Sequence, residues 1–153
     1  MQKSILQTQT TFDASSLKIG VVMASFNSDI TESMLSNMLY NCPTYNIDKN
    51  NVTICRVPGA VEIPLVLSTM AKKFDCLVAL GCIIRGDTPH FDYVCKYVTE
   101  GILRVSLDNH IPIGYGILTL ENHEQSATRI ISGFGSLEAA LQSHRQISQL
   151  LGN

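Results

Sequence analysis

The stretch DCLVALGCIIRGDTPHFDYV, residues 75–94, decides the fold. The nine residues after Asp75 are apolar without alternation, the pattern of a strand covered on both faces. Gly86 ends the run, and Thr88 and Pro89 follow as a helix cap and a first helical residue. Beyond them Phe91, Val94, Cys95, Val98, Ile102 and Val105 recur at helical spacing. A doubly covered strand running straight into an amphipathic helix belongs to a β-α-β arrangement with parallel pairing.

The same alternation extends on either side. LKIGVVMAS (17–25) reads as a strand, and Ile30, Met34, Leu35 and Met38 mark a helix that Ser28 or Asp29 can cap. NVTICRV (51–57) is a second strand, broken by PGA. Residues 61–73 resume a helical pattern, with Pro64 tolerated only in the first turn. IPIGYGILT (111–119) is the fourth strand. A short helix over 123–131 and a final one over about 136–150 follow, with Leu137, Ala140, Leu141 and Leu151 on one side. This order predicts an α/β fold, a flavodoxin-like three-layer sandwich with a four-stranded parallel sheet flanked by helices. The polar, Gln/Thr-rich residues 1–16 read as a flexible N-terminal arm with one short strand at SILQ, and 17–153 as a single domain.

A chain of 153 residues is long enough for one sizeable core. Eleven basic against 13 acidic residues, with no basic stripe, argue against nucleic acid as a partner. The apolar runs fall short of the roughly 18 residues that a membrane span needs. The first residues lack an apolar signal core, so the expected location is the cytoplasm. Five cysteines without C-x-x-C read as free, mostly buried thiols rather than a disulfide framework or a metal site. Neither G-x-G-x-x-G nor a Walker-type loop occurs, so neither a dinucleotide nor a nucleoside triphosphate is indicated.

In this architecture the carboxyl ends of the strands converge on one rim, where ligands bind. Phe26, Asn27, Glu62, Arg85, Asp87, Thr88 and His90 fall there, and His123 is a further candidate. Each has an ordinary alternative. Residues 86–90 suit an anion at a helix start, or plain capping. His90 suits proton transfer near neutrality, or is a surface residue. Arg85 reads best as an ion-pair partner of Asp87 or Asp92. Glu62 can simply favour a helix dipole, and Phe26 can belong to the core. The signal lies in their convergence on four consecutive strand ends.

The blocks VVMASFN, RVPGAVEIPL, VALGCIIRGDTPHFDYV, GYGILT and EQSATR, in this order, resemble the lumazine synthase family over about residues 17–151. The resemblance implies condensation of 5-amino-6-(D-ribitylamino)uracil with 3,4-dihydroxy-2-butanone 4-phosphate, the penultimate step of riboflavin biosynthesis. It implies no metal and no organic cofactor. It also implies homopentamers, sometimes twelve in an icosahedral shell, with sites between neighbouring subunits and an association with riboflavin synthase in some cases. Carried over, Phe26 stacks on the pyrimidine and Asn27 belongs to the same wall. Gly59, Ala60, Val61 and Glu62 hold the ribityl chain, and Ile83 and Ile84 meet the pyrimidine edge through their backbone. Gly86, Asp87 and Thr88 donate to the phosphate, and His90 transfers protons. From the adjacent subunit come Tyr115, a second aromatic wall, and Arg129, a phosphate ligand.

The chain departs from the family after Arg129. The interval from Arg129 to Glu138 is two residues shorter than the family pattern, and Gly135 stands where a lysine is expected. Ser126, Thr128 and His123 are also unusual there. The missing lysine motivates a competing reading, a flavin- or lumazine-binding shell protein without turnover. An archaeal-type riboflavin synthase is a third reading, which the intact GDTPHFDYV block disfavours.

Overall fold

A computed structural model describes residues 10–153; the expected SILQ strand lies outside the described residues. The elements are β1 (Ile19–Ala24), α1 (Ser28–Asn41), β2 (Thr53–Val57), α2 (Ile63–Met70), β3 (Cys76–Ile84), α3 (His90–Asn109), β4 (Ile113–Leu120) and α4 (Ser132–Leu151). The four strands form one parallel sheet in the order β2-β1-β3-β4. The order reverses between β1 and β3, and the crevice at their carboxyl ends is where such sheets bind ligands.

The unalternating apolar run of β3 is explained by its two covered faces. Cys76, Val78, Leu80 and Cys82 join a core with Ile30, Met34 and Met38 of α1 and with Leu137, Ala140 and Leu141 of α4. Leu77, Ala79 and Ile83 face the other way, toward Ile63, Leu67 and Met70 of α2 and Val98, Ile102 and Val105 of α3. Each of the larger side chains, fully buried, contributes about 1.5–3 kcal/mol. Two glycines let α4 approach closely. A Cβ on Gly114 would strike the Ser136 carbonyl, and one on Gly133 would strike the Met34 carbonyl. The stretch SGFG is thereby part of the packing between α4 and α1.

Several boundaries differ from the sequence reading. α1 starts after Asn27 rather than under a Ser28 or Asp29 cap. Residues 60–62 form a 3-10 turn before α2, which ends at Met70, with Pro64 in its first turn as expected. α3 starts at His90, one residue later than a Thr88 cap implies, with Pro89 in the capping position. The Thr88 hydroxyl instead accepts weakly from the His90 N–H, at 3.4 Å. The expected helix over 123–131 is a 3-10 turn over 123–126 followed by further turns. α4 begins at Ser132, four residues early, because Gly133 fits against α1 and continues the helix. Leu151 is exposed instead of packing beside Leu141. Cys42, Cys76 and Cys82 are buried, Cys55 and Cys95 are half-buried, and all five are free. No described helix is long and apolar enough to cross a membrane.

Candidate active site

The end of β1 is held in place by hydrogen bonds that extend the sheet past its last strand residue. The Ser25 N–H donates to the Val57 carbonyl at 2.8 Å, and the Phe26 N–H to the Pro58 carbonyl at 3.0 Å. This sets Phe26 beside the turn after β2. Its ring is 71% exposed, so the core reading of this residue does not hold. Asn27 takes a left-handed conformation, φ 58° and ψ 46°, one that Asn tolerates better than most residues. Its Nδ2 donates to the Cys82 carbonyl at 2.9 Å, tying the ends of β1 and β3 together. Burial pushes the Cys82 thiol up to about 11, with Asp29 as a lesser cause.

Glu62 folds back over its own turn. Its Oε2 accepts from the Gly59 N–H at 2.9 Å, fixing the shape of residues 59–62. Arg85 is committed to ion pairs, as the sequence suggests, but with Glu121 (2.8 Å) and Asp92 (3.2 Å) and not with Asp87. Its guanidinium lies 4.3 Å from the centre of the Phe91 ring. Arg85 thus ties the start of α3 to the end of β4.

These elements enclose a cavity of about 360 Å³ at the β1–β3 crevice. Of the expected residues, Phe26, Asn27, Gly59, Ala60, Val61, Glu62, Ile83, Ile84, Gly86, Thr88 and His90 line it. Sequence reasoning missed Cys82, Phe91 and Val94 as lining residues. Helical spacing held the signal for Val94, which lies four positions after His90 and three after Phe91. Where the chain leaves β3, the N–H groups of Gly86, Asp87 and Thr88 donate to no acceptor among the described residues. Nothing lies within 4 Å of where a Gly86 Cβ would stand. Open backbone donors leading into a helix start are suited to holding an anion.

Asp87, Tyr115 and Arg129 do not line this cavity. Tyr115 lies on the outer strand β4, half-exposed, with its hydroxyl 2.8 Å from Thr99 Oγ1. Arg129 is exposed and donates to the Gln125 carbonyl at 2.6 Å. Among the described residues no carboxylate pairs with it. His123 is exposed, and its Nε2 lies 2.6 Å from Asp29 Oδ2 in the first turn of α1. This contact lowers the Asp29 carboxyl below its usual range.

A cavity with one stacking ring, a turn with a fixed carboxylate, backbone donors and an imidazole suits a polar planar ligand and an anionic group side by side. The protein-family model described as 6,7-dimethyl-8-ribityllumazine synthase matches residues 16–147 and so takes in every element that lines the cavity. The chain belongs to that family, whose work lies in riboflavin biosynthesis.

Proposed function

We propose that the chain is a working lumazine synthase, a transferase that condenses 5-amino-6-(D-ribitylamino)uracil with 3,4-dihydroxy-2-butanone 4-phosphate. The observation that carries this is the convergence of Phe26, the 59–62 turn, the open N–H groups of 86–88 and His90 at one cavity. Phe26 stacks on the pyrimidine, with Asn27 beside it. The carbonyl and N–H groups of Ile83 and Ile84 read the pyrimidine edge. The 59–62 turn holds the ribityl chain, and residues 86–88 hold the phosphate.

The 5-amino group attacks the ketone, and loss of water gives an imine. A proton leaves the adjacent carbon and inorganic phosphate is expelled. Tautomerisation regenerates a carbonyl, the ribityl-bearing nitrogen attacks it, and a second water leaves as the ring closes. His90, at the cavity wall, takes and returns protons in these steps. Phosphate departure is assisted by the backbone donors and by a cation. Holding both substrates in register lowers the barrier further, by roughly 7–11 kcal/mol in well-oriented cases. No resident metal or cofactor enters the scheme.

Arg129 and Tyr115 lie outside the cavity of their own chain, and we assign them to the site of an adjacent copy in a homo-oligomer. An exposed apolar run on α3, Tyr93, Tyr97, Leu103 and Leu107, supports such a neighbour. The proposed setting is the cytoplasm.

Gly135 in place of the expected lysine favours one competing reading, a shell that binds the ligand without turnover. Expression in a riboflavin-requiring bacterium that lacks this step separates the two. Growth without riboflavin, lost in His90→Ala, supports the enzyme. No growth despite well-expressed folded protein supports the binding shell.

A further inference from the structure

The His123–Asp29 contact joins a fixed element to an exposed one. Asp29 sits on the fixed side. The Thr31 hydroxyl, on the same helical turn, donates to the Ala24 carbonyl at 2.9 Å, and Ile30 and Thr31 are buried. Two residues before Asp29, Asn27 is bonded to the Cys82 carbonyl at 2.9 Å. The start of α1 is therefore bound to the sheet at two points.

His123 sits on the exposed side, where residues 121–124 and 127–129 face solvent, while Ser126 is buried and Glu121 pairs with Arg85 at 2.8 Å. This segment is internally tied. The Asn122 side chain accepts from the Gln125 N–H at 3.2 Å, and Gln125 Oε1 accepts from the Glu121 N–H at 2.8 Å. The Arg129 guanidinium donates to the Gln125 carbonyl at 2.6 Å, and its own N–H donates to the Ser126 carbonyl at 2.9 Å. Arg129 therefore travels with the 123–126 turn. Among the described residues, the His123–Asp29 contact is the hydrogen bond that joins this turn to α1.

We infer that His123 and Asp29 form a positioning pair that sets where Arg129 is presented to the phosphate of the butanone substrate. The inference rests on the functional reading above. His123 touches neither substrate; it acts by fixing the turn that carries the guanidinium. With no lysine at position 135, phosphate recognition leans on Arg129, so its placement carries more of the affinity.

The test is steady-state kinetics on full-length oligomer, varying each substrate separately, for wild type, His123→Ala, Asp29→Ala, the double variant and His123→Gln. Losing an exposed pair of this kind changes an affinity by at most roughly fivefold. The inference predicts a three- to fivefold rise, at this order of magnitude, in KM for the butanone phosphate in both alanine variants, with KM for the pyrimidine unchanged. The double variant should cost no more than either single change, because both remove one contact. His123→Gln, which keeps a donor, should recover most of the loss. Additive effects, equal loss for both substrates, or unchanged KM in an active enzyme would overturn the inference alone. An inactive wild type would end the functional reading and this inference with it. Thermal melts of each variant exclude unfolding as the cause.

Discussion

Asn27 Nδ2 donates to the carbonyl oxygen of Cys82 at 2.9 Å while the Asn27 backbone stands in the left-handed region. The two features serve one end. The left-handed turn directs the chain from β1 into α1 and leaves Phe26 projecting, and the side-chain bond locks that turn to β3. Asn27→Ala loses the bond and adds strain, whereas Asn27→Gly loses the bond but relieves the strain. We predict destabilisation of about 1–3 kcal/mol for Ala and clearly less for Gly, read from urea unfolding. Equal losses would mean that the backbone conformation costs nothing there.

Arg129 lies outside its own chain's cavity and has no carboxylate partner among the described residues. If it serves a neighbour's site, Arg129→Ala and His90→Ala subunits should rescue one another when assembled together. Random mixing in equal amounts should restore about a quarter of the sites, each with one intact His90 and one intact Arg129. Activity no greater than the sum of the separate variants would place both residues in one chain's site. Arg129→Ala alone should weaken use of the phosphate substrate far more than pyrimidine binding.

Gly135 lies in the first turn of α4, with nothing within 4 Å of a would-be Cβ and no positive φ. Gly135→Lys is therefore sterically free, and replacing a helical glycine gains roughly 1 kcal/mol of helix propensity. We predict a higher melting temperature and a lower KM for the butanone phosphate. Improved stability with an unchanged KM would show that position 135 does not face the phosphate.

Burial pushes the thiols of Cys42 and Cys82 up to about 11 and that of Cys76 up to about 12. The unfolded chain releases these protons from about pH 8.5, while the folded chain holds them. The unfolded state then binds fewer protons, so stability falls as pH rises through this range. Chemical denaturation at pH 7.5 and pH 10 should show a lower midpoint at pH 10. Replacing Cys76 by Ala should reduce the difference.

The layer order was legible because β3 is apolar throughout, and a strand so composed needs cover on both faces. Phe26, the 59–62 turn and the 86–90 segment were legible because parallel strands place their carboxyl ends on one rim. Four features were not. The start of α4 depended on how closely Gly133 approaches the Met34 carbonyl, a contact no local pattern encodes. The Asn27 bond was hidden because its partner Cys82 lies 55 positions away. The His123–Asp29 contact was hidden for the same reason, the two residues being 94 positions apart. Tyr45, fully buried with its hydroxyl 2.7 Å from Glu138, likewise owes its place to a distant helix.

The most direct measurement is the initial rate of lumazine formation when purified protein is mixed with the ribitylaminouracil and the butanone phosphate, followed by absorbance against the uncatalysed background. The account predicts clear acceleration by the wild type and a loss of roughly 10²–10⁴-fold in His90→Ala with ligand binding retained. A wild-type rate equal to background, with the ligand still bound, would contradict it.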